Sequence, residues 1–225
     1  DTVFTDTDAA FAGGAGALFG ASSVTMAGCV FERTRVTGAN GIGGGAVYAS
    51  AVLAVVVRDT AFTAASASSG SGGALYIDGS TVSLALDGVV AEHCTALLGA
   101  GGALAVTSLS LTLDQSGPIT LRDCSARWGG AVAVAGTAVP SALEPMALRR
   151  AGSSVSALGA AADFIVDGAT AAYGGVAFSC GPSWEFGNET DIRGTVAATF
   201  GGGIVYHCLD DPQFQAPPAL WAAAT

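Results

Sequence analysis

Lysine is absent from this chain of 225 residues, and all eight basic side chains are arginine. Charged residues make up only 12% of the total, with 18 acidic against eight basic, for a net charge of −10. No basic face can be assembled from so few scattered arginines in so acidic a chain, which excludes nucleic acid as a partner. Histidine occurs twice, and the five cysteines contain no CxxC spacing. That removes zinc-ligand patterns, and no metal or cofactor is assigned. A sustained 3.6-residue apolar period is missing too, so the repeats are not helical. Cys94 to Leu113 carries no charge for twenty residues, but it contains Gly99, Gly101 and Gly102. It then alternates through Thr107-Ser108-Leu109-Ser110-Leu111-Thr112-Leu113, a strand's period of two, so no transmembrane span is expected. The chain begins at Asp1 with neither methionine nor signal peptide, and it reads as a segment of something longer.

What is present in quantity is glycine, 33 residues, within a chain that is 51% hydrophobic, too apolar for disorder. The glycines recur in one phrase. Gly44-Gly45-Ala46-Val47-Tyr48 returns as Gly72-Gly73-Ala74-Leu75-Tyr76, Gly101-Gly102-Ala103-Leu104-Ala105 and Gly129-Gly130-Ala131-Val132-Ala133. After a gap come Gly174-Gly175-Val176-Ala177-Phe178 and Gly202-Gly203-Ile204-Val205-Tyr206, and Ala15-Gly16-Ala17-Leu18-Phe19 reads as an imperfect first copy. The markers Gly16, Gly45, Gly73, Gly102, Gly130, Gly175 and Gly203 are separated by 29, 28, 29, 28, 45 and 28 residues. A period of this size signals a stacked repeat architecture. Antiparallel sandwiches have no reason to fix it.

Each repeat divides into three short strands: one after the glycines, one alternating (Val82, Leu84, Leu86), and one ending in an apolar residue followed three later by Thr, Cys or Ala. The expected fold is all-β, a right-handed parallel β-helix of about seven coils with three strands per coil. Like positions then lie about 4.8 Å apart along a rod. One inward row comprises Leu18, Val47, Leu75, Leu104, Val132, Ala177 and Val205, and a second Phe31, Val57, Ala91, Leu121, Val166 and Ile192. An outward row, Glu32, Arg58, Glu92, Arg122, Asp167 and Arg193, alternates in charge and predicts a ladder that controls register. The β-helix spans residues 1–208, interrupted at about 136–162 by an insertion containing Pro140 to Arg150. The insertion should project without breaking the stack between Ala133 and Phe178. Residues 209–225 read as a cap or linker.

The Gly-Gly-Ala-Ile/Leu/Val-Tyr phrase, with a Phe-x-x-Asn-like element in each coil, resembles the polymorphic outer membrane protein repeats of chlamydial surface autotransporters. Similar repeats occur in surface proteins of algae and other protists, and the wider relatives are right-handed β-helices of the pectin-lyase-like class. The resemblance covers residues 3 to 208. It departs at the asparagine, which Thr34, Thr60, Cys94, Cys124, Ala169 and Thr195 replace here. It implies an extracellular or cell-surface protein, with other proteins or surface glycans as partners.

Many β-helices of that class cleave acidic polysaccharides, which takes clustered carboxylates with calcium or a general acid and a basic residue. The candidates here are thin. Asp210 and Asp211 follow the last coil beside His207, and Asp59 and Asp123 take matching positions with His93 between them. Surface polar stacking is the first reading of that trio and a ligand role the second. Glycine-rich loops are followed by no helix, so phosphate cradling is unsupported. No catalytic residue is assigned. The expected role is a stiff spacer and interaction surface, with a polysaccharide-acting enzyme domain or a carbohydrate- or surface-binding module as alternatives.

Two modifications are expected. Asn188-Glu189-Thr190 is a glycosylation sequon in a predicted loop. Cys180 and Cys208 each lie five residues after a marker glycine, and stacked coils would bring them within disulfide reach, near the surface. Two free thiols are the competing reading. Cys29, Cys94 and Cys124 read as small apolar interior residues, with a Cys94–Cys124 bridge as the alternative.

Overall fold

The computed structural model describes residues 2–135, 154–155, 162–180, 190–200 and 205–208. Every regular element among them is a strand, and every strand pairing is parallel. The chain is a parallel β-solenoid of about five complete turns, with three strand ladders in its larger sheet. The first ladder runs from Gly16–Phe19 through Val47–Ser50, the long strands Leu75–Glu92 and Leu104–Gln115, Val132–Ala135 and Ala177–Cys180 to Val205–Cys208. The middle ladder takes Ser23–Ala27, the start of Ala54–Thr63 and later parts of the long strands. The third runs from Thr2–Thr5 and Cys29–Glu32 to Ile119–Arg122, Phe164–Asp167 and Thr190–Arg193. A second sheet of seven short strands, from Asp8–Ala9 to Val196–Phe200, follows the third ladder in each coil.

Alternation drives this arrangement. Val55, Leu84 and Leu113 from the middle ladder meet Ile77 and Val106 from the first in one apolar core. Between them, Ala54, Ser83 and Thr112 take the opposite parity. In the third ladder Phe4, Phe31 and Phe62 stack face to face at 5.0 Å between successive rings. The next members of that column are Ala91, Leu121, Val166 and Ile192. Phe62, not Val57, therefore completes the row. The strand Ala54–Thr63 serves two ladders and bends at Asp59, whose φ is +45°, so inward parity restarts there. Val57 belongs to the middle ladder, between Met26 and Leu86.

Among the described residues the glycine phrase holds from Gly44-Gly45 through Gly129-Gly130. The first glycine of each pair is left-handed, with φ of +65° at Gly44, Gly72 and Gly101. The second has no room for a side chain. A Cβ on Gly73 would lie 2.0 Å from the Gly102 carbonyl oxygen and 2.6 Å from the Thr95 nitrogen. One on Gly45 would lie 2.0 Å from the Gly73 oxygen.

The marker of the first coil is Gly14 rather than Gly16. Gly16 pairs with Val47, which places Gly13-Gly14-Ala15 on Gly44-Gly45-Ala46. A Cβ on Gly14 would meet the Gly45 oxygen at 2.2 Å, whereas one on Gly16 would meet nothing within 4 Å. Leu18 accordingly pairs with Ala49 and leaves the Val47 row. Gly203 lies outside the described residues, but Val205–Cys208 beyond it pairs in register with Ala177–Cys180.

The first ladder passes the insertion without a break, with Ala133 opposite Phe178. By Ser154–Val155 the chain is back in the middle ladder against Thr112 and Leu113, and the remaining described residues resume at 162. Gln115 occupies the column of Met26, Val57 and Leu86 but is polar. Its buried amide donates to the carbonyls of Gly117, Ala162 and Asp163 at 2.9–3.2 Å, tying the stack to the chain that returns from the insertion.

Candidate functional site

The corner between the third ladder and the second sheet is a column of left-handed residues. Asp6, Arg33, Ala64, His93 and Asp123 all have φ between +45° and +60°, and Gly168 and Gly194 continue the column. This conformation turns the chain sharply and points the side chains outward, which is why Asp, His and Gly recur there. At the first step Arg33 makes a two-pronged bond to Asp6, with Nε to Oδ1 at 2.6 Å and Nη2 to Oδ2 at 2.9 Å. Arg35 reaches Asp8 in the same way at 2.8 and 3.4 Å. The Arg33 guanidinium holds the Asp6 carboxyl below its usual range. Higher up, His93 Nδ1 lies 3.6 Å from Asp123 Oδ2, both well exposed. The Thr95 and Ser125 hydroxyls meet at 3.2 Å.

Asp59 is not in this column. It sits at the other bend, beside Gly88, while the register puts His93 directly against Asp123. The expected trio thus separates into an exposed His–Asp pair and a distant aspartate. Arg58 likewise leaves the charge ladder. It pairs in register with Ala27 and Asp87, and Thr63 stands between Glu32 and Glu92. The bend at Asp59 again accounts for the shift of one ladder. Glu92, Arg122, Asp167 and Arg193 do stand in register on successive coils. Arg122 Nη1 bonds Glu92 Oε1 at 2.8 Å, whereas Arg193 turns to Asp191 on its own strand. Glu32 bonds the adjacent Arg33.

The outer face of the first ladder is covered rather than open. Tyr48, Tyr76, Trp128 and Phe178 are buried in a second apolar cluster with Ala100, Ala105, Ala133 and Ala135. Trp128 stacks on Tyr173 at 4.0 Å, and Tyr48 lies 5.5 Å from Tyr76. The Tyr76 hydroxyl shares a hydrogen bond of 3.2 Å with Thr107 on the next coil, and burial pushes the phenol up to about 12. Desolvation raises the Asp78 carboxyl, which the Tyr48 hydroxyl partly offsets. Phe178, two residues before Cys180, is fully buried, and the side chains of Cys180 and Cys208 lie outside the described residues.

Cys180 and Cys208 are opposite each other in register. Cys94 and Cys124 also fall in register, between Glu92–Arg122 and Thr95–Ser125, as free and fully buried thiols. Each thiol donates to backbone carbonyls, while the neighbouring sulfur and burial push Cys94 up and the same neighbour draws Cys124 down. Asn188, Asp210 and Asp211 lie outside the described residues, as does the side chain of His207. Among the described residues no group of three or more His, Cys, Asp or Glu side chains is placed to hold a metal ion, and no helix is long and apolar enough to cross a membrane. The core encloses an apolar cavity of about 40 Å³ beside Ala91, bordered by Phe62, Leu86, Leu104, Leu121 and Phe164.

These surfaces set partner groups one coil apart, as carboxylate–guanidinium, carboxylate–imidazole and hydroxyl pairs. Sequence reasoning missed the left-handed corners, because Asp, His and Ala are unremarkable by themselves, and it missed the covered outer face. A cue for the corners was present: each stands two residues after an inward apolar residue and directly before a Thr, Ala or Cys. No protein family, curated protein or solved structure matches the chain.

Proposed function

We propose that this chain is a structural or adhesive segment of an extracellular or cell-surface protein, a stiff spacer whose sides serve as interaction surfaces for proteins or glycans. One observation carries the reading. The first ladder keeps its register from Gly16–Phe19 to Val205–Cys208, even across the insertion, so side chains are repeated along one axis. Such a column supplies length and a repeated contact surface, which suits many weak contacts better than one enclosed site. The same reading takes the solenoid as right-handed, the hand that parallel crossovers favour in about 98% of cases. It also takes it as continuing through seven coils of the polymorphic outer membrane protein type, within the pectin-lyase-like class. A Cys180–Cys208 disulfide and a glycan on Asn188 would accompany export.

The test is to label intact, unpermeabilised source cells with antibody raised against the folded segment, and to map the natively sourced protein by mass spectrometry. Surface labelling that protease shaving removes, together with a Cys180–Cys208 link, is expected. Labelling that requires permeabilisation, with both cysteines reduced, overturns the reading.

A further inference from the structure

The solenoid sorts its cysteines. Four of the five fall into two pairs, Cys94 with Cys124 and Cys180 with Cys208, and in each pair the two residues are direct neighbours on adjacent coils. We propose that Cys94 and Cys124 are a cross-coil disulfide site, closed while the coils assemble and then sealed inside the core.

The geometry supports the bond. The Ser125 amide donates to the Cys94 carbonyl at 2.9 Å, so the two backbones are held at one coil step. That step of about 4.8 Å lies within the Cα separations of roughly 4.4 to 6.8 Å that a disulfide accepts. Each thiol leans toward a carbonyl of the preceding coil, Cys94 to Phe62 at 3.7 Å and Cys124 to Ala91 at 3.6 Å. Closing the bond therefore needs a side-chain rotation. The neighbours above and below in this column are Ala65 and Ala169, which leave it unobstructed.

Both cysteines are wholly buried once folded, which sets the order of events. Oxidation has to precede closure of the coil between them, and the finished bond is out of reach of reductants. With glutathione disulfide as oxidant, one cysteine thiolate attacks a glutathione sulfur and expels glutathione thiolate. The second cysteine then attacks the protein sulfur of that mixed disulfide and expels the other glutathione. Two protein thiols are oxidised, one glutathione disulfide is reduced to two glutathione thiols, and the two protons released go to those thiols. The inference does not depend on where the protein resides, because a refolding buffer supplies the same oxidant.

The sequence makes the test clean. Cleavage after arginine puts each cysteine on its own peptide, with Cys124 on Asp123–Arg127 and Cys94 on the stretch from Asp59 to Arg122. The full chain is denatured, reduced, and refolded in mixed reduced and oxidised glutathione. The soluble fraction with a β-sheet circular dichroism spectrum is alkylated, digested and mapped. The expected result is a Cys94–Cys124 linked peptide pair that survives reductant in native buffer and is lost in reductant with denaturant. Recovery of Asp123–Arg127 unlinked, or joined to any cysteine but Cys94, overturns the proposal. So does a link that reductant removes equally fast in native buffer and in denaturant. The Cys180–Cys208 peptides in the same map report separately on the export reading.

Discussion

Leu84 and its counterpart two coils earlier, Val24, hold the same place in the middle ladder, but Leu84 is fully buried and Val24 only partly. The same contrast runs through the whole first coil. Phe4 and Leu18 are partly covered where Phe62 and Ile77 are enclosed, and Val3 and Phe19 are each 66% exposed. In a solenoid a residue's contribution depends on its coil having neighbours on both sides, and within these residues the first coil has a neighbour on one side alone. The first coil is joined to the second by two Arg–Asp clamps, where the central coils add a single Arg122–Glu92 bond to far deeper burial.

The contrast is sharpest at the glycines. Gly73→Ala should cost more than about 4 kcal/mol or prevent folding, because the new methyl meets backbone on two sides. Gly16→Ala, in a place open to solvent, should stay within about 0.5 kcal/mol of the parent. Urea unfolding followed by circular dichroism measures both, and equal losses would undo the assignment of Gly14 as the first marker.

Next come the middle-ladder pair. Leu84→Ala should lose about 3 kcal/mol and Val24→Ala about 1 kcal/mol or less by the same measurement. A larger loss at Val24 would mean that the first coil is buried by something else. Filling the central cavity acts in the opposite direction. Ala91→Val, placed between Phe62 and Leu121, should stabilise by about 0.5 to 1 kcal/mol, and a destabilised variant would show that no usable space exists there.

The smallest effect belongs to the clamp. Asp6 has its ionisation drawn down by Arg33, so its contribution is complete above the ordinary Asp range near about 3.9 and disappears as pH falls through its lower folded value. Backbone amides of Thr2–Thr5 should exchange faster, relative to those of Ile119–Arg122, once the pH drops below that range or in Asp6→Asn. Equal protection of the two strands at low pH would remove the clamp from the account.

The repeat was legible because Gly45, Gly73, Gly102 and Gly130 stand where the next coil's backbone excludes a Cβ, a constraint that marks the sequence at every turn. The inward rows of the first ladder followed from it. The third ladder was placed less well, since Asp59 resets the parity of a continuous strand without any proline or glycine to mark it. Val57 and Arg58 were displaced together for that one reason. The outer face of Tyr48 and Phe178 reads in sequence as the solvent side of an alternating strand. What covers it, Ile42, Ala100, Trp128 and Tyr173, comes from the segments leading into the glycines, whose path a period of 28 does not give.

The glycine column also bears on how such a chain changes over generations. The space beside Gly45 is filled by the carbonyl of Gly73, that beside Gly73 by Gly102, and that beside Gly102 by Gly130. Each coil thus specifies only its successor, and the specification is the same at every step. A tandem duplication or deletion of one 28-codon unit in the gene would splice the rod at a joint it already possesses, asking for no new contact. Reach then becomes a quantity that unequal recombination can lengthen or shorten in whole steps, leaving the chemistry of every remaining coil as it was.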